Sequence, residues 1–369
     1  MNILPRILVC GATSGLFAIG CGGSGDPASG SHGVGATTGA SGGGAGPGGT
    51  GGAATTGAGG ASPTTATSTT GPGGTTVSAT SSATTGAGGS GSGGFGTIFT
   101  ILLENHDYDQ VVASPDTPYI NSLIASYGLA TQYKDSGSHP SLLNYLYLIS
   151  GDTQFPFKLG VDLGPTTFPF PKDADNLGSQ MQLASVHWRS YQENMGKPCN
   201  RDGDGVYEPK HDPFLYFTKL QDAQNNYALC EEHNVDYSQF PADLTGGTYQ
   251  YMWITPNMTN NGHNPTGDPV AAIKQADLWL SAEVPKILAS AAYQNNGVLF
   301  ITWDEGTGTF GTTDHVPMIV ISPKLKSAGM KVGTKLSHAG YLATVEEIFG
   351  LPKLGDASTA PTLMEFFNP

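Results

Sequence analysis

The chain has 369 residues, with 30 acidic against 16 basic side chains and a formal net charge of −14. No Lys/Arg run exists to neutralise phosphates along a backbone, which argues against nucleic acid as a partner. The first quarter is too poor in large apolar residues to build a core, so the folded part is the size of one α/β domain.

In chain order, a short and weakly basic start (Asn2 to Arg6) leads into an apolar stretch through Leu16, Phe17, Ala18 and Ile19 to Gly20-Cys21. This is the layout of a bacterial export signal. The small residues ahead of Cys21 are those of a lipoprotein-type signal, with Cys21 becoming a lipidated first residue and a membrane anchor. An ordinary signal peptide cut nearby is the alternative. The expected organisation is a signal over 1–21, a disordered Gly/Ala/Ser/Thr linker over 22–96 and a folded domain over 97–369. Asp26 is the only charged residue between Gly22 and Gly96, and such a segment cannot bury enough surface to offset chain entropy. The expected location is outside the cytoplasm, as a cell-envelope lipoprotein (outer membrane or cell surface) or as a secreted protein.

Strands are expected at 98–103, 130–133, 184–190, 248–255, 298–303 and 316–322. Helices are expected at 119–127, 142–150, 213–221, 271–292 and 339–349. Their alternation predicts an α/β fold with a mostly parallel central sheet and helices on both faces. The stretch from Gly151 to Lys172 is rich in Pro, Phe and Gly and reads as a long, lid-like loop. Cys199 and Cys230 remain after Cys10 and Cys21 are set aside, and an exported chain permits a disulfide between them.

Several strands share one grammar. Ile98 to Leu103 runs into Glu104-Asn105-His106, and Leu299 to Trp303 runs into Asp304-Glu305-Gly306. Tyr251 to Thr255 runs into Pro256-Asn257, with His263 soon after. Open α/β sheets bind ligands at the carboxyl ends of their strands. Carboxylates gathered there repel one another unless a cation neutralises them. Ser141, in Ser138-His139-Pro140-Ser141, precedes an apolar-periodic helix and falls at or near its N-cap. That position suits either a capping serine or a nucleophile attacking phosphorus, with Asn144 one turn on as a donor to a phosphoryl oxygen. His263 and His315 lie in polar segments and are candidates for a second metal or for phosphate. His338 is expected to cap or orient the last helix, while His106, His139 and His211 are weaker candidates for substrate contact. Asn200-Arg201-Asp202-Gly203-Asp204 opens like a calcium loop but has His211 at the twelfth position, so an acidic turn is the alternative.

Together these ordered motifs resemble the bacterial and fungal phosphoesterase family of acid phosphatases and phospholipase C-type enzymes, within the alkaline-phosphatase superfamily. The likeness runs from Thr97 to Pro369. It is carried by Glu104-Asn105-His106, His139-Pro140-Ser141, Gln192-Glu193-Asn194, Lys210-His211-Asp212-Pro213-Phe214, Asn257 to His263, Trp303-Asp304-Glu305-Gly306, His315-Val316-Pro317 and Ser337-His338. The resemblance implies Glu104, Asn105, Asp304 and Glu305 as ligands of a divalent metal ion and Ser141 as nucleophile. It places Asn144, His263 and His315 around the phosphate or a second cation. The implied activity is that of an exported phosphomonoesterase acting on a phosphate ester through a phosphoserine. The alternatives are a phosphodiesterase or phospholipase C, and a non-catalytic surface binding lipoprotein. Two departures stand out: Asn261 and Asn264 replace aspartates near His263, and Leu143 replaces a proline before Asn144.

Overall fold

The computed structural model describes residues 94–368, apart from 156–159, 168–169, 222–226, 264–266 and 308–313. The expected signal, the lipidation site at Cys21 and nearly all of the expected linker lie outside the described residues. The folded part reaches slightly ahead of residue 97. Phe95 is buried with its ring edge-on to Phe367 at 5.0 Å, and Gly96 N–H donates to the Asn296 carbonyl at 2.8 Å.

The regular elements begin with β1 (Ile98–Leu103), α1 (Tyr108–Val111), α2 (Pro118–Ser126), β2 (Gly128–Ala130), β3 (Tyr133–Lys134) and α3 (Ser141–Ser150). They continue with α4 (Leu177–Leu183), β4 (Trp188–Gln192), α5 (Ala228–His233), β5 (Asn234–Asp236), α6 (Phe240–Gly246) and β6 (Tyr251–Thr255). The last are α7 (Pro269–Ala289), α8 (Ala291–Gln294), β7 (Val298–Trp303), β8 (Met318–Ile321), β9 (Met330–Val332), β10 (Leu336–Ser337) and α9 (His338–Phe349).

Eight strands form one sheet in the order β5-β4-β6-β1-β7-β8-β2-β9, and β3 pairs separately with β10. Only β8 runs against its neighbours, so the sheet is mostly parallel as the alternation predicts. Every residue of β1, β6, β7 and β8 is buried. Strands that are apolar on both pleat faces belong in a sheet covered on both sides. Helix α3 packs on α9, and α2 on α7. Tyr341 of α9 fastens its helix to the sheet: its hydroxyl meets those of Thr100 at 2.7 Å and Tyr251 at 2.8 Å, and its ring stands edge-on to Phe300.

Register positions the site. Leu103 pairs with Trp303 across β1 and β7, so Glu104 and Asp304 leave the sheet side by side. The Asp304 N–H donates to the Leu103 carbonyl at 2.9 Å, extending the ladder by one bond. On the other flank, the segment after β6 folds over this edge, where the Asn261 carbonyl accepts from Glu104 N–H at 2.8 Å. That fold needs Gly262, which has φ +92° and would carry a Cβ only 3.2 Å from the Glu104 carbonyl oxygen.

Some expected elements differ. The helix expected over 213–221 is instead two 3₁₀ turns, Pro213–Tyr216 and Thr218–Leu220, because Phe217 between them is extended. The strand expected from 184 starts at Trp188, since Ala184 caps α4 and Ser185 turns with φ 57°. The expected strand 130–133 divides between two sheets, and the expected helix 271–292 divides at Ser290, whose hydroxyl caps α8 at Tyr293 N. Cys199 and Cys230 form the expected disulfide, with 5.3 Å between Cα atoms.

Candidate active site

Helix α3 begins at Ser141, with Pro140 at the cap position and no side-chain cap. Ser141 is therefore the first helical residue rather than the cap. Residues three and four positions on share its face, which brings Asn144 and Tyr145 to the same side. The Ser141 hydroxyl lies 3.1 Å from Glu305 Oε1, 3.2 Å from Glu104 Oε2 and 3.4 Å from Asn105 Oδ1. A hydroxyl has one proton and can satisfy only one of these acceptors.

The oxygens around it are held from behind. Tyr145 donates a short hydrogen bond to Glu104 Oε1. Asn144 Nδ2 donates to Glu305 Oε2 at 3.2 Å, and the amide is oriented by Ser136, whose hydroxyl and N–H both donate to its Oδ1. His139 Nδ1 meets Glu305 Oε2 at 2.6 Å. Asp304 accepts from Asn105 N–H at 3.2 Å through Oδ1, while its buried Oδ2 has no hydrogen-bond partner among the described residues. Glu104 and Asp304 are both fully buried. Burial, offset in part by Tyr145 and Lys210, pushes the Glu104 carboxyl up to about 8. Burial, then Glu104 and Glu305, pushes Asp304 well above the usual carboxylate range.

This donor set fits a divalent cation. All the groups are hard oxygens, they surround one hydroxyl, and one buried carboxylate oxygen is unpaired. Among the described residues no cage of three His, Cys, Asp or Glu side chains stands ready-made; Ser141 and Asn105 complete the set.

The histidines divide. His338 Nε2 lies 2.7 Å from the Asp304 carbonyl and Nδ1 2.9 Å from the Tyr133 hydroxyl. A carbonyl only accepts, so Nε2 carries the proton and Nδ1 accepts from Tyr133. Burial holds this imidazole neutral by lowering it to about 4. His338 thus orients the end of β7 as well as starting α9. His106 bridges the Glu104 carbonyl at 3.0 Å and the Pro269 carbonyl at 3.2 Å, bracing β1 against the start of α7. His211 is 2 % exposed and stacks on Tyr145, with Nε2 3.3 Å from Glu104 Oε1 but not aligned for a hydrogen bond. It packs behind Glu104.

His263 lies 6.5 Å from His211, ring to ring, and its N–H is held by Asn261 Oδ1 at 2.8 Å. Asn261 thus fixes the backbone of His263. Asn264 lies outside the described residues. His315 is engaged elsewhere: it stacks on Tyr108 at 4.2 Å, and its Nε2 donates to the Thr131 carbonyl at 3.1 Å. Those contacts pin α1 to the β2–β3 turn. The acidic turn after Asn200 satisfies itself, with Asp204 Oδ1 accepting from Val206 and Tyr207 N–H groups at 2.9 Å each.

Three contributors had no place in the sequence expectations. Tyr145 was findable from its helix face, four residues after Ser141. Asp135 accepts from Gly137 N–H at 2.6 Å and from Gly306 N–H at 3.3 Å, tying the turn after β7 to the segment before α3; burial pushes it up to about 7. Asp162 accepts from Leu142 N–H at 3.0 Å and pairs with Lys210 Nζ at 2.8 Å. Burial disfavours the Lys210 charge, but Asp162 and Glu104 outweigh it and raise its pKa. No local pattern marks that pair.

Residues 110–352 match the sequence profile of the Phosphoesterase family. The phosphatidylinositol-3-phosphatase of Mycobacterium tuberculosis is 28% identical over 283 residues, covering 74% of this chain and 83% of that protein. A probable acid phosphatase of Kluyveromyces lactis is 29% identical over 274 residues, and the acid phosphatase of Aspergillus niger 26% over 271. Each of these fungal matches covers 71% of this chain but only 60% of the fungal protein. Among solved structures, a protein in the alkaline phosphatase superfamily from Vibrio parahaemolyticus aligns with a TM-score of 0.49 at 14% identity, over 72% of this chain and 70% of that one. The profile begins after Glu104 and Asn105 but spans α3, the end of β7 and the segments of His139, His211, His263, His315 and His338, and the chain belongs to the Phosphoesterase family, hydrolases of phosphoric ester bonds.

Proposed function

We propose that the protein is an exported, metal-dependent phosphomonoesterase with Ser141 as its nucleophile. The observation that carries this is the Ser141 hydroxyl, at the first residue of α3 and within 3.1–3.4 Å of oxygens from Glu104, Asn105 and Glu305. Glu104, Asn105, Asp304 and Glu305 would hold the divalent cation, which when bound lowers the pKa of a hydroxyl and offsets charge on a phosphoryl group. Ser141 Oγ attacks phosphorus in line: the new O–P bond forms as the bond to the leaving alkoxide breaks. The hydroxyl proton passes to Glu305, whose Oε1 is the nearest acceptor at 3.1 Å. Ser141 is the first residue of α3, where the helix dipole favours negative charge on the phosphoryl group. Water then displaces phosphate from the phosphoserine and restores the hydroxyl.

His263 gives the leaving oxygen its proton. Burial and then Lys210 hold this imidazole below its ordinary value. The acid form is therefore present at low pH and is lost as the pH rises, so kcat falls from acidic toward neutral pH. The disulfide supports export, because such bonds persist in oxidising compartments. A lipid anchor on Cys21 is part of the same proposal and rests on the sequence alone.

The test is hydrolysis of p-nitrophenyl phosphate, its bis-ester and a phosphoinositide monoester by the purified protein, with and without chelator. Monoester turnover that is abolished by chelator and falls by at least about 10⁴-fold in Ser141→Ala is expected. Preference for the diester replaces the reading with a phosphodiesterase. A folded protein with no turnover under any divalent metal overturns it.

A further inference from the structure

The Asp162–Lys210 pair stands at the start of α3, against the residue that follows Ser141. Asp162 Oδ1 accepts the N–H of Leu142, the residue next to Ser141 and the second of α3, at 3.0 Å. Its Oδ2 meets Lys210 Nζ at 2.8 Å. An N–H at the start of a ten-residue helix and an ammonium group are the two kinds of donor that a phosphoryl group seeks. Both are already taken by a carboxylate that the chain itself supplies from twenty residues on.

Three independent observations point to a ligand here. Ser141 is only 3 % exposed and Leu142 is fully buried, so a phosphate ester reaches the hydroxyl only if a neighbour yields. The His211 imidazole, adjacent to Lys210 and 2 % exposed, has an Nε2 that lies 3.3 Å from Glu104 Oε1 without the alignment of a hydrogen bond. A cavity of about 340 Å³ adjoins the pair, lined by Asp162, Lys210, Arg201 and Glu208 among others, and it gives the carboxylate space to withdraw.

We propose that Asp162 is an internal stand-in for substrate: its carboxylate holds the phosphate seat formed by Leu142 N–H and Lys210 Nζ, and a phosphomonoester binds by displacing it. Lys210 then pairs with the phosphoryl group instead of the carboxylate. Asp162 thereby sets affinity and selectivity, because only a ligand carrying more negative charge than a carboxylate replaces it at both donors. A phosphomonoester dianion meets that condition and a diester monoanion does not. The proposal rests on the reading of Ser141 as the residue that phosphorus approaches.

The test reads binding without turnover. Inorganic phosphate is titrated calorimetrically into full-length Ser141→Ala and into Ser141→Ala carrying Asp162→Asn, Asp162→Ala or Lys210→Met. Removing the competing charge is expected to tighten phosphate about tenfold in both Asp162 variants, and Lys210→Met to weaken it about tenfold. Thermal melts confirm that each variant is folded, and two Asp162 substitutions guard against one that is not. A carboxylate that merely caps α3 gives a lower melting temperature with unchanged or weaker phosphate binding, and that result overturns the proposal. Tighter phosphate binding in a protein that hydrolyses no monoester keeps the seat and removes the phosphatase reading. Monoester turnover with phosphate binding indifferent to Asp162 does the reverse.

Discussion

Two halves of one site are built by different means. The strand half, Glu104 with Asn105 and Asp304 with Glu305, is delivered by the ends of β1 and β7, whose register is fixed by six paired residues. The loop half, Asp162 with Lys210 and His211, comes from a loop and a single 3₁₀ turn (Pro209–His211), and Lys210 and His211 sit inside the loop that Cys199 and Cys230 close. The first half inherits its geometry from a sheet core; the second needs a covalent staple and an ion pair. Rigid strands suit oxygens that must stay close despite mutual repulsion, whereas loops suit groups that have to exchange partners.

The largest effect is expected from breaking the strand half. Asp304→Asn removes a fully buried carboxylate whose Oδ2 lacks a hydrogen-bond partner among the described residues. With metal present, kcat/KM should fall by roughly 10³-fold, several kcal/mol of transition-state charge stabilisation. With chelator present, the thermal midpoint should stay level or rise, since a buried carboxyl oxygen without a partner costs free energy. A midpoint that falls in chelator would show that Asp304 supports the fold by itself.

Next comes the staple. Replacing Cys199 and Cys230 by Ala opens a loop with a sequence separation of 31, which should cost about 3 to 4 kcal/mol in denaturant unfolding. At temperatures where the variant is folded, KM should rise more than kcat falls, because Lys210 loosens while β1 and β7 do not. A loss confined to kcat would place the loop half in the chemistry itself and erase the distinction between the halves.

Tyr145→Phe should have a smaller effect. It removes the donor to Glu104 Oε1 and leaves the ring against His211. About a tenfold loss in metal affinity or activity is expected, the usual scale for a group behind a metal ligand. Metal titration followed by activity would check it.

Much of the strand half was legible because its signals are local. The runs Ile98 to Leu103 and Val298 to Trp303 have apolar residues on both faces, and that alone marks buried parallel strands with their carboxylates at the far end. The start of α3 was visible from Pro140 and the apolar periodicity that follows. Parts of the architecture with a conflicting or absent local signal were harder. Residues 213–221 look helical until Phe217 takes an extended backbone, and β5 and β9 are three residues each, too short for a period. His315 shows the limit for sites: its sequence context was as polar as that of His263, and only the fold stacks it on Tyr108. Asp162 and Lys210, 48 residues apart, meet through packing that no spacing encodes.

The finest probe concerns Asp212, next to His211 in the loop half. Its carboxyl is fully buried, with Oδ1 3.5 Å from the Ser190 hydroxyl and Oδ2 without a hydrogen-bond partner among the described residues. Burial pushes it from 3.8 up to about 8. The folded state therefore binds this proton more tightly than the unfolded chain does. The resulting stability is fully present below pH 3.8 and is lost progressively as the pH rises toward 8. In Asp212→Asn that loss disappears, so the thermal midpoint of the variant relative to the parent should climb between these limits. Glu104, Asp304 and Asp135 are common to both proteins and cancel in the difference. A relative midpoint that stays flat with pH would mean that Asp212 is charged in the folded protein, and the loop half would then contain a buried anion beside His211 that Lys210 has to balance as well as Asp162.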